Sequence, residues 1–295
     1  MLIHCRLSQA ATWWLDGTFS SNPAIFTQLH TIHIKCHDEL IAQLWCLLPD
    51  KAGATYLRLI QLLQQRAVQV NLQLQPAVIH LDFEQAVMQS IRSEFLIESN
   101  GCLFHYSQSV LRNLQQTGLR VAYNTHTPPE VRTWVRRLIA LAFVPPIRVD
   151  QGFQAAIANA PNVVERDAMN DSMRNTYIAQ NALFSHQIWN CFQQRNRTTN
   201  VCEGYHHVIN EKFRGSRPDP FKFIRFLQEQ EGSIERRVVQ LQVGAPPKKR
   251  KAADVRVDEA LDRLNNQYFG ARMSNVAGLL QYIDAVAHQM YDVKH

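Results

Sequence analysis

Hydrophobic and polar positions over the first hundred residues predict a sheet interrupted by two helices. The segments that alternate apolar and polar residues or form short apolar runs are 12–19, 28–35, 40–48, 77–82 and 101–104. Residues 53–67 and 84–96 instead repeat apolar side chains every three or four positions, as amphipathic helices do. The resulting order, β-β-β-α-β-α-β, implies a mixed sheet with helices packed on it.

Helical periodicity replaces the strand pattern from residue 105 onward. The predicted helices are 105–117, 129–143, 177–194, 200–214, 220–241, 257–268 and 275–290. Residues 244–256, GAPPKKRKAADVR, are typical of a linker because a glycine and two prolines precede a basic run. The second half of the chain is therefore predicted to be helical.

Asp16 and Gly17 follow an apolar run in TWWLDGTF. An Asp-Gly pair is a strong signal for a tight hairpin turn. Here, however, Ser-Ser-Asn-Pro at 20–23 comes too early for a returning strand to form. We therefore place Asp16 near the end of a buried strand, where its carboxylate can serve a site.

Asp82 ends a second apolar run, in AVIHLDFEQA, and helical spacing follows it. One interpretation is that Asp82 caps this helix and Gln85 completes a capping box. The other is that Asp82 joins Asp16 at the ends of neighbouring strands, the usual place for site residues in α/β folds. The two interpretations are compatible, so capping does not exclude a function for Asp82.

The segment RTTNVCEGYHHVINEKF predicts a helix with one apolar and one polar face. The polar face carries Asn200, Glu203, His206 or His207, and Asn210. Taken alone, Asn200 and Glu203 also fit an ordinary capping box at a helix start. Together with Asp16 and Asp82, Glu203 favours metal binding as the alternative. Phosphodiester transfer employs two divalent ions about 4 Å apart, and such ions prefer carboxylate oxygens.

The net charge of +6 and a pI of about 9.1 favour a polyanionic partner. Basic residues gather around Glu203, and those predicted to contact DNA are Arg195, Arg197, Arg214, Arg217 and Lys222. Six cysteines without a pairing rhythm predict free thiols in a reducing compartment. No apolar stretch approaches the ~18 residues that span a bilayer, so we expect a soluble intracellular protein with no membrane partner.

Several motifs occur in an order that resembles the catalytic core of Mutator-like element (MULE) transposases. They are WWLDGTFSSNPAIFTQLHTIHI, VIHLDFEQAV, GCLFHYSQSVLRNLQQTGL, LIALAFVPP, IWNCF and RTTNVCEGYHHVIN. Together they span roughly residues 12 to 230. The ordered set, rather than any single motif, makes the resemblance specific.

The resemblance implies an RNase H-like α/β fold with a helical insertion and a helical C-terminal extension. It implies a DDE triad of Asp16, Asp82 and Glu203 that binds two Mg²⁺ or Mn²⁺ ions and acts on transposon ends and target DNA. The predicted segments are an RNase H-like core at 1–120, an insertion at 121–195, core-completing helices at 196–243, a basic linker at 244–256 and C-terminal helices at 257–295. The resemblance also allows a homo-oligomer.

Cys102 and His105 match the Cys-x-x-His motif of the family, in CLFH. One interpretation is a zinc site completed by Cys202 and His206. The other is a buried thiol and a histidine at a helix start that position the core. Trp189 also matches a family tryptophan, and it fits either a place in the core or stacking on a base.

PPKKRK at 246–251 resembles a nuclear localisation signal, which predicts a nuclear protein. The alternative is a solvated basic linker that touches phosphates.

Family members usually carry a zinc-finger domain before the core, whereas Asp16 lies 15 residues after Met1. This departure leaves two alternatives. The chain is either an active enzyme core, in a truncated or domesticated copy, or a transposase-derived protein that binds DNA or chromatin without cutting it.

Overall fold

The computed structural model describes residues 2–125, 128–195, 197, 200–214, 217–269 and 276–291. The chain divides into two compact units. The first contains Met1–Cys102 and Thr198–Lys248, and the second contains Leu103–Arg197 and Lys249–His295. The predicted insertion and the predicted C-terminal helices therefore fall in the same unit.

Thirteen α-helices occur in the described residues. They are α1 (Leu2–Gln9), α2 (Gly53–Gln69), α3 (Gln85–Phe95), α4 (Leu103–Gln116), α5 (Arg120–Thr125), α6 (Pro129–Ala140), α7 (Val149–Ala158), α8 (Arg166–Met173), α9 (His186–Trp189), α10 (Asn200–Lys212), α11 (Pro220–Gln242), α12 (Ala252–Phe269) and α13 (Val276–Tyr291). Among these residues, none of the helices combines the length and the apolar character that a membrane span requires.

The first unit is built on a five-stranded mixed sheet. Its strands are β1 (Thr12–Thr18), β2 (Gln28–Cys36), β3 (Glu39–Leu48), β4 (Val78–Leu81) and β5 (Asn100–Gly101). They lie in the order β3-β2-β1-β4-β5; β2 is antiparallel to β1 and β3, and β4 is parallel to β1 and β5. The predicted mixed α/β architecture is confirmed. β5 ends earlier than predicted because Leu103 already begins α4.

Alternation along β1 and β2 gives the sheet two covered faces. Trp13, Leu15 and Ile32 surround a small apolar gap together with side chains of α2 and α3. On the opposite face, Leu29 packs in a core cluster with residues of α10 and α11: Ile209, Phe213, Phe223 and Phe226. Trp14 and Asp16, displaced by one residue from Trp13 and Leu15, therefore face α10.

The second unit is helical and has an aromatic core. Tyr106 and Trp189 stack with ring centroids 5.0 Å apart, and the Trp189 indole N–H donates to the Tyr177 carbonyl at 3.0 Å. Trp189 is fully buried, so it belongs to the core and does not stack on a base. α12 and α13 bear out the two predicted C-terminal helices, except that residue 275 lies outside the described residues.

The predicted helix at 177–194 is wrong. Residues Arg174–Ile178 form one turn of π-helix, and α9 spans only His186–Trp189. The Asn190 amide donates to the Val144 carbonyl at 2.8 Å and its side-chain oxygen accepts from the Phe192 N–H at 2.9 Å. Gln193 is left-handed, with φ 59°. Such side-chain bonds to the backbone compete with helical bonds and end the helix.

Candidate functional site

The pairing of β1 with β4 brings Asp16 and Asp82 to the same edge of the sheet. The parallel register joins Thr12 to Val78, Trp13 to Ile79 and Trp14 to His80, so partners are 66 positions apart. Asp82 also follows Asp16 by 66 positions. Asp16 and Asp82 therefore each follow the last paired residues, Trp14 and His80, by two positions.

Asp16 lies inside β1 and not in a hairpin turn. It pairs with Thr31 of β2, and Gly17 pairs with His30. The side chain of Asp16 is 6% exposed. The prediction that Asp16 sits near the end of a buried strand is thus confirmed.

Asp82 immediately follows β4, and its Oδ1 accepts a hydrogen bond from the Glu84 N–H at 3.2 Å. The prediction that Asp82 caps α3 is wrong, because Glu84 occupies the N-cap position. The close approach of β5 explains Gly101: a β-carbon there would lie 2.5 Å from the Phe83 ring, next to Asp82. A side chain at residue 101 would therefore push against the ring of Phe83, the residue after Asp82.

Glu84 is an acid beside Asp82 that the sequence reasoning missed. The Tyr56 hydroxyl donates to its Oε1 at 2.9 Å and in turn accepts from the Gln28 amide at 2.6 Å. Burial raises the pKa of Glu84, and the nearby Asp82 charge raises it further. In the sequence, the one sign that Glu84 lies near the site is its place two residues after Asp82 in DFE. An acidic residue at this place is also common at the start of an ordinary helix.

Glu203 lies on α10 close to the end of β4. One of its carboxylate oxygens is within 4.8 Å of the Cys102 Sγ. The Cys102 N–H donates to the Leu81 carbonyl at 2.8 Å, and Leu81 directly precedes Asp82. Cys102 thus links Glu203 to the strand end that carries Asp82. The side chain of Asn200, proposed to share a capping box with Glu203, lies outside the described residues.

His206 and Asn210 tie the same helix to β1. The His206 Nδ1 is 3.0 Å from the Asp16 Oδ2, and its Nε2 is 2.8 Å from the Thr31 Oγ1. One turn further, the Asn210 amide donates to the Thr18 hydroxyl at 3.2 Å. Because Glu203 and His206 are three positions apart, they share one face of α10. That face brings Glu203 to the edge that holds both aspartates.

In a comparison with known protein families, one family model matches part of this chain. The family model described as the MULE transposase domain matches residues 12–109. This segment is a MULE transposase domain. The match indicates a transposase-related function and an interaction with DNA. A search of the curated proteins found no match.

The MULE domain contains Asp16, Asp82, Cys102 and His105, whereas Glu203 lies beyond the matched residues. His105 is on α4, in the second unit. Glu203 is joined to the MULE domain by folding alone, because about a hundred residues separate α10 from β5 along the chain. Its place therefore rests on the contacts of α10 with β1 and Cys102.

The contacts of His206 do not favour the zinc interpretation of Cys202 and His206. Both ring nitrogens of His206 are already within hydrogen-bond distance of Asp16 and Thr31. Burial raises the pKa of the Cys202 thiol well above its ordinary value, and the nearby Asp16 charge raises it further.

Two further histidines next to the site are neutral at pH 7. Burial lowers the pKa of His30 to about 4 and that of His33 to about 3. Asp16 opposes the shift of His30 by favouring its charged form, but burial has the larger effect. Neither ring therefore adds positive charge beside the carboxylates of the MULE domain.

The predicted DNA-contacting residues fall into different environments. Arg214, Arg217 and Lys222 are exposed in the first unit, at the end of α10 and the start of α11. Arg195 is exposed in the second unit and pairs with Asp262 at 3.0 Å. Arg197 is 13% exposed and forms an ion pair with Asp258, so its guanidinium is not presented to a phosphate. The prediction for Arg197 is therefore corrected.

Proposed function

We propose that this chain is the core of a DDE-type transposase that cuts DNA and transfers the cut strand, with Asp16, Asp82 and Glu203 as its catalytic acids. The observation that carries the proposal is the shared 66-residue offset of the β1–β4 register and the two aspartates. The strand order β3-β2-β1-β4-β5, with β2 antiparallel, supports an RNase H-like fold.

The donor set fits a pair of divalent cations. Asp16 and Asp82 lie at the ends of the neighbouring strands β1 and β4, and Glu203 lies on α10. All three offer carboxylate oxygens, which Mg²⁺ and Mn²⁺ prefer. When bound, such ions supply Lewis-acid stabilisation of the phosphate and a more acidic water. In the proposed reaction, water attacks a phosphodiester and displaces its 3′ oxygen, which leaves a 5′ phosphate and a free 3′ hydroxyl. This 3′ hydroxyl then attacks a phosphodiester of the target DNA and displaces the 3′ oxygen of the target strand.

The protein's own contribution is to hold the acids before the reaction begins. The turn from Asp82 to Glu84 keeps the Asp82 carboxylate at the strand end through a backbone N–H. The buried position of Asp16 limits the water around its carboxylate, which strengthens any charge interaction there. The hydrogen bond between Asn210 and Thr18 is a second attachment of α10 to β1 and touches none of the three acids.

Asp82→Asn is expected to abolish metal-dependent nicking. The substitution keeps the size of the side chain but removes the charge that would hold a cation. Purified full chain and variant are incubated with end-labelled duplex DNA and Mn²⁺, and cleaved strands are separated by electrophoresis. Asp38→Asn is the matched control, because Asp38 is exposed, its ion pair with Lys35 lies in solvent, and its left-handed φ of 66° is one that asparagine tolerates.

Equal products from wild type and Asp82→Asn would assign the nicking to contamination. That result, together with retained DNA binding, would leave the alternative of a transposase-derived protein that binds without cutting. Loss of nicking in Asp38→Asn as well would show that the substitution acts through charge or folding in general and not through the site.

The exposed basic residues between α10 and α11 are expected to contact the DNA backbone. Arg214→Ala, Arg217→Ala and Lys222→Ala together should flatten the slope of log affinity against log salt by about 0.9 for each phosphate that is no longer neutralised, since every neutralised phosphate releases counterions. Affinity is measured by fluorescence anisotropy between about 50 and 200 mM salt, a range in which this electrostatic effect is large.

Three exposed arginines on the other face of the sheet make the control. Arg58 and Arg66 lie on α2, and Arg92 lies on α3, so their replacement by alanine removes the same charge from the opposite side of the unit. Their triple variant should keep the wild-type slope. Identical slopes for both triple variants would place the DNA path elsewhere.

We also propose a nuclear location through 246–251. The residues of this run are exposed between α11 and α12. Exposure is the property that recognition of such a basic run requires.

A further inference from the structure

His206 is held on two sides by residues that face each other across β1 and β2. Asp16 and Thr31 are register partners in the antiparallel pair, and the imidazole of His206 reaches both of them from α10. Its side chain is 5% exposed. The ring is therefore held between two partners in neighbouring strands.

The chemistry of the partners determines which ring nitrogen carries a proton. A carboxylate accepts and does not donate, so a proton between His206 and Asp16 belongs on Nδ1, which lies 3.0 Å from the Asp16 Oδ2. The Nε2 shares a hydrogen bond with the Thr31 hydroxyl. One carboxylate oxygen of Asp16 is thus engaged by His206, and rotation of the carboxylate would break this bond.

We propose that His206 is a positioning residue that fixes the Asp16 carboxylate toward the edge of the sheet where Asp82 and Glu203 lie. This inference rests on the proposed function, because it concerns the acids of that site. Groups that hydrogen-bond to metal-binding side chains orient them, and losing such a group typically lowers metal affinity or activity about 10- to 100-fold. His206 would act through Asp16 and not on DNA itself.

Asn210 provides a matched comparison on the same helix. It lies four positions after His206 and binds Thr18, two positions after Asp16, so both residues attach α10 to β1. Only His206 touches an acid of the site. A purely structural role for His206 would make the two residues equivalent, whereas positioning makes them differ.

The test measures Mn²⁺ binding directly, from the electron paramagnetic resonance signal of free Mn²⁺ in titrations of the full chain. His206→Leu removes both hydrogen bonds and should weaken Mn²⁺ binding about 10- to 100-fold. His206→Asn keeps an N–H where Nδ1 stood and should restore most of the affinity. Asn210→Leu should bind Mn²⁺ like wild type, and Thr31→Val should give a smaller loss than His206→Leu.

Urea unfolding of each variant separates misfolding from a change at the site. If His206→Leu does not fold, His206→Asn and Thr31→Val still decide the question. Positioning is overturned if His206→Leu binds Mn²⁺ as wild type does, if His206→Asn binds as weakly as His206→Leu, or if Asn210→Leu loses affinity equally.

An Asp16→Asn variant distinguishes the proposed metal site from the proposed positioning of Asp16 by His206. If Asp16→Asn loses Mn²⁺ binding while the His206 variants keep it, the metal site stands and positioning by His206 is wrong. If Asp16→Asn binds Mn²⁺ as tightly as wild type, Asp16 does not hold the cation, and the proposed function fails together with the inference that depends on it.

Discussion

Glu203→Gln is expected to lower the rate of Mn²⁺-dependent DNA nicking by about 1,000-fold. The amide keeps the length and shape of the side chain but removes its negative charge and replaces one oxygen ligand with an N–H₂ group. A loss of about 4 kcal/mol of transition-state stabilisation, within the several kcal/mol expected of metal-ion catalysis, corresponds to this factor. Single-turnover nicking of labelled duplex DNA, with the protein in excess, measures it.

Glu211→Gln on the same helix is the control for this variant. Glu211 is exposed two turns beyond Glu203 and has a long contact of 3.6 Å with Arg214. It should nick DNA at the wild-type rate. Wild-type activity in Glu203→Gln, together with an inactive Asp82→Asn, would show that the third acid lies elsewhere, and Glu84 beside Asp82 would then be the residue to replace next.

Arg197→Ala is expected to lower the free energy of unfolding by about 3 kcal/mol. The guanidinium contacts Asp258, whose side chain is only 8% exposed, and it also lies over the Phe143 ring at 5.5 Å. Removing one partner of a buried pair leaves the other charge poorly compensated, which typically costs about 3–5 kcal/mol. Arg250 also pairs with Asp258, so the lower end of that range applies. Urea denaturation followed by tryptophan fluorescence measures the change.

Arg195→Ala is the paired variant, because Arg195 and Asp262 form an ion pair that is largely in solvent. Exposed pairs contribute about 0–1 kcal/mol, so its unfolding free energy should stay close to that of wild type. Equal stabilities for the two variants would contradict a structural role for Arg197. If the folded Arg197→Ala variant has a changed salt dependence of DNA binding, Arg197 does contact DNA.

Local periodicity was sufficient to predict the strands of the first unit. β1, β2 and β3 are segments of seven to ten residues that alternate apolar and polar side chains or form short apolar runs, and α2 and α3 carry clear apolar faces. The secondary structure of each segment could therefore be predicted from its own residues. The same reasoning failed at 177–194. There, the bonds of Asn190 to Val144 and Phe192 end the helix, and these depend on residues that the pattern does not reveal.

For the acidic residues too, one part could be predicted from the sequence and the other part only the tertiary structure shows. Asp16 and Asp82 each follow an apolar run, so their positions near strand ends could be read from the chain, as could the polar face around Glu203. The bonds of His206 to Asp16 and Thr31 could not, because they join residues 190 and 175 positions apart. Likewise, Arg195 and Arg197 are indistinguishable as basic residues in sequence, and only the location of Asp258 separates them. Local hydrophobic spacing determines elements, whereas the partners of polar and charged groups are chosen by packing between elements remote in the chain.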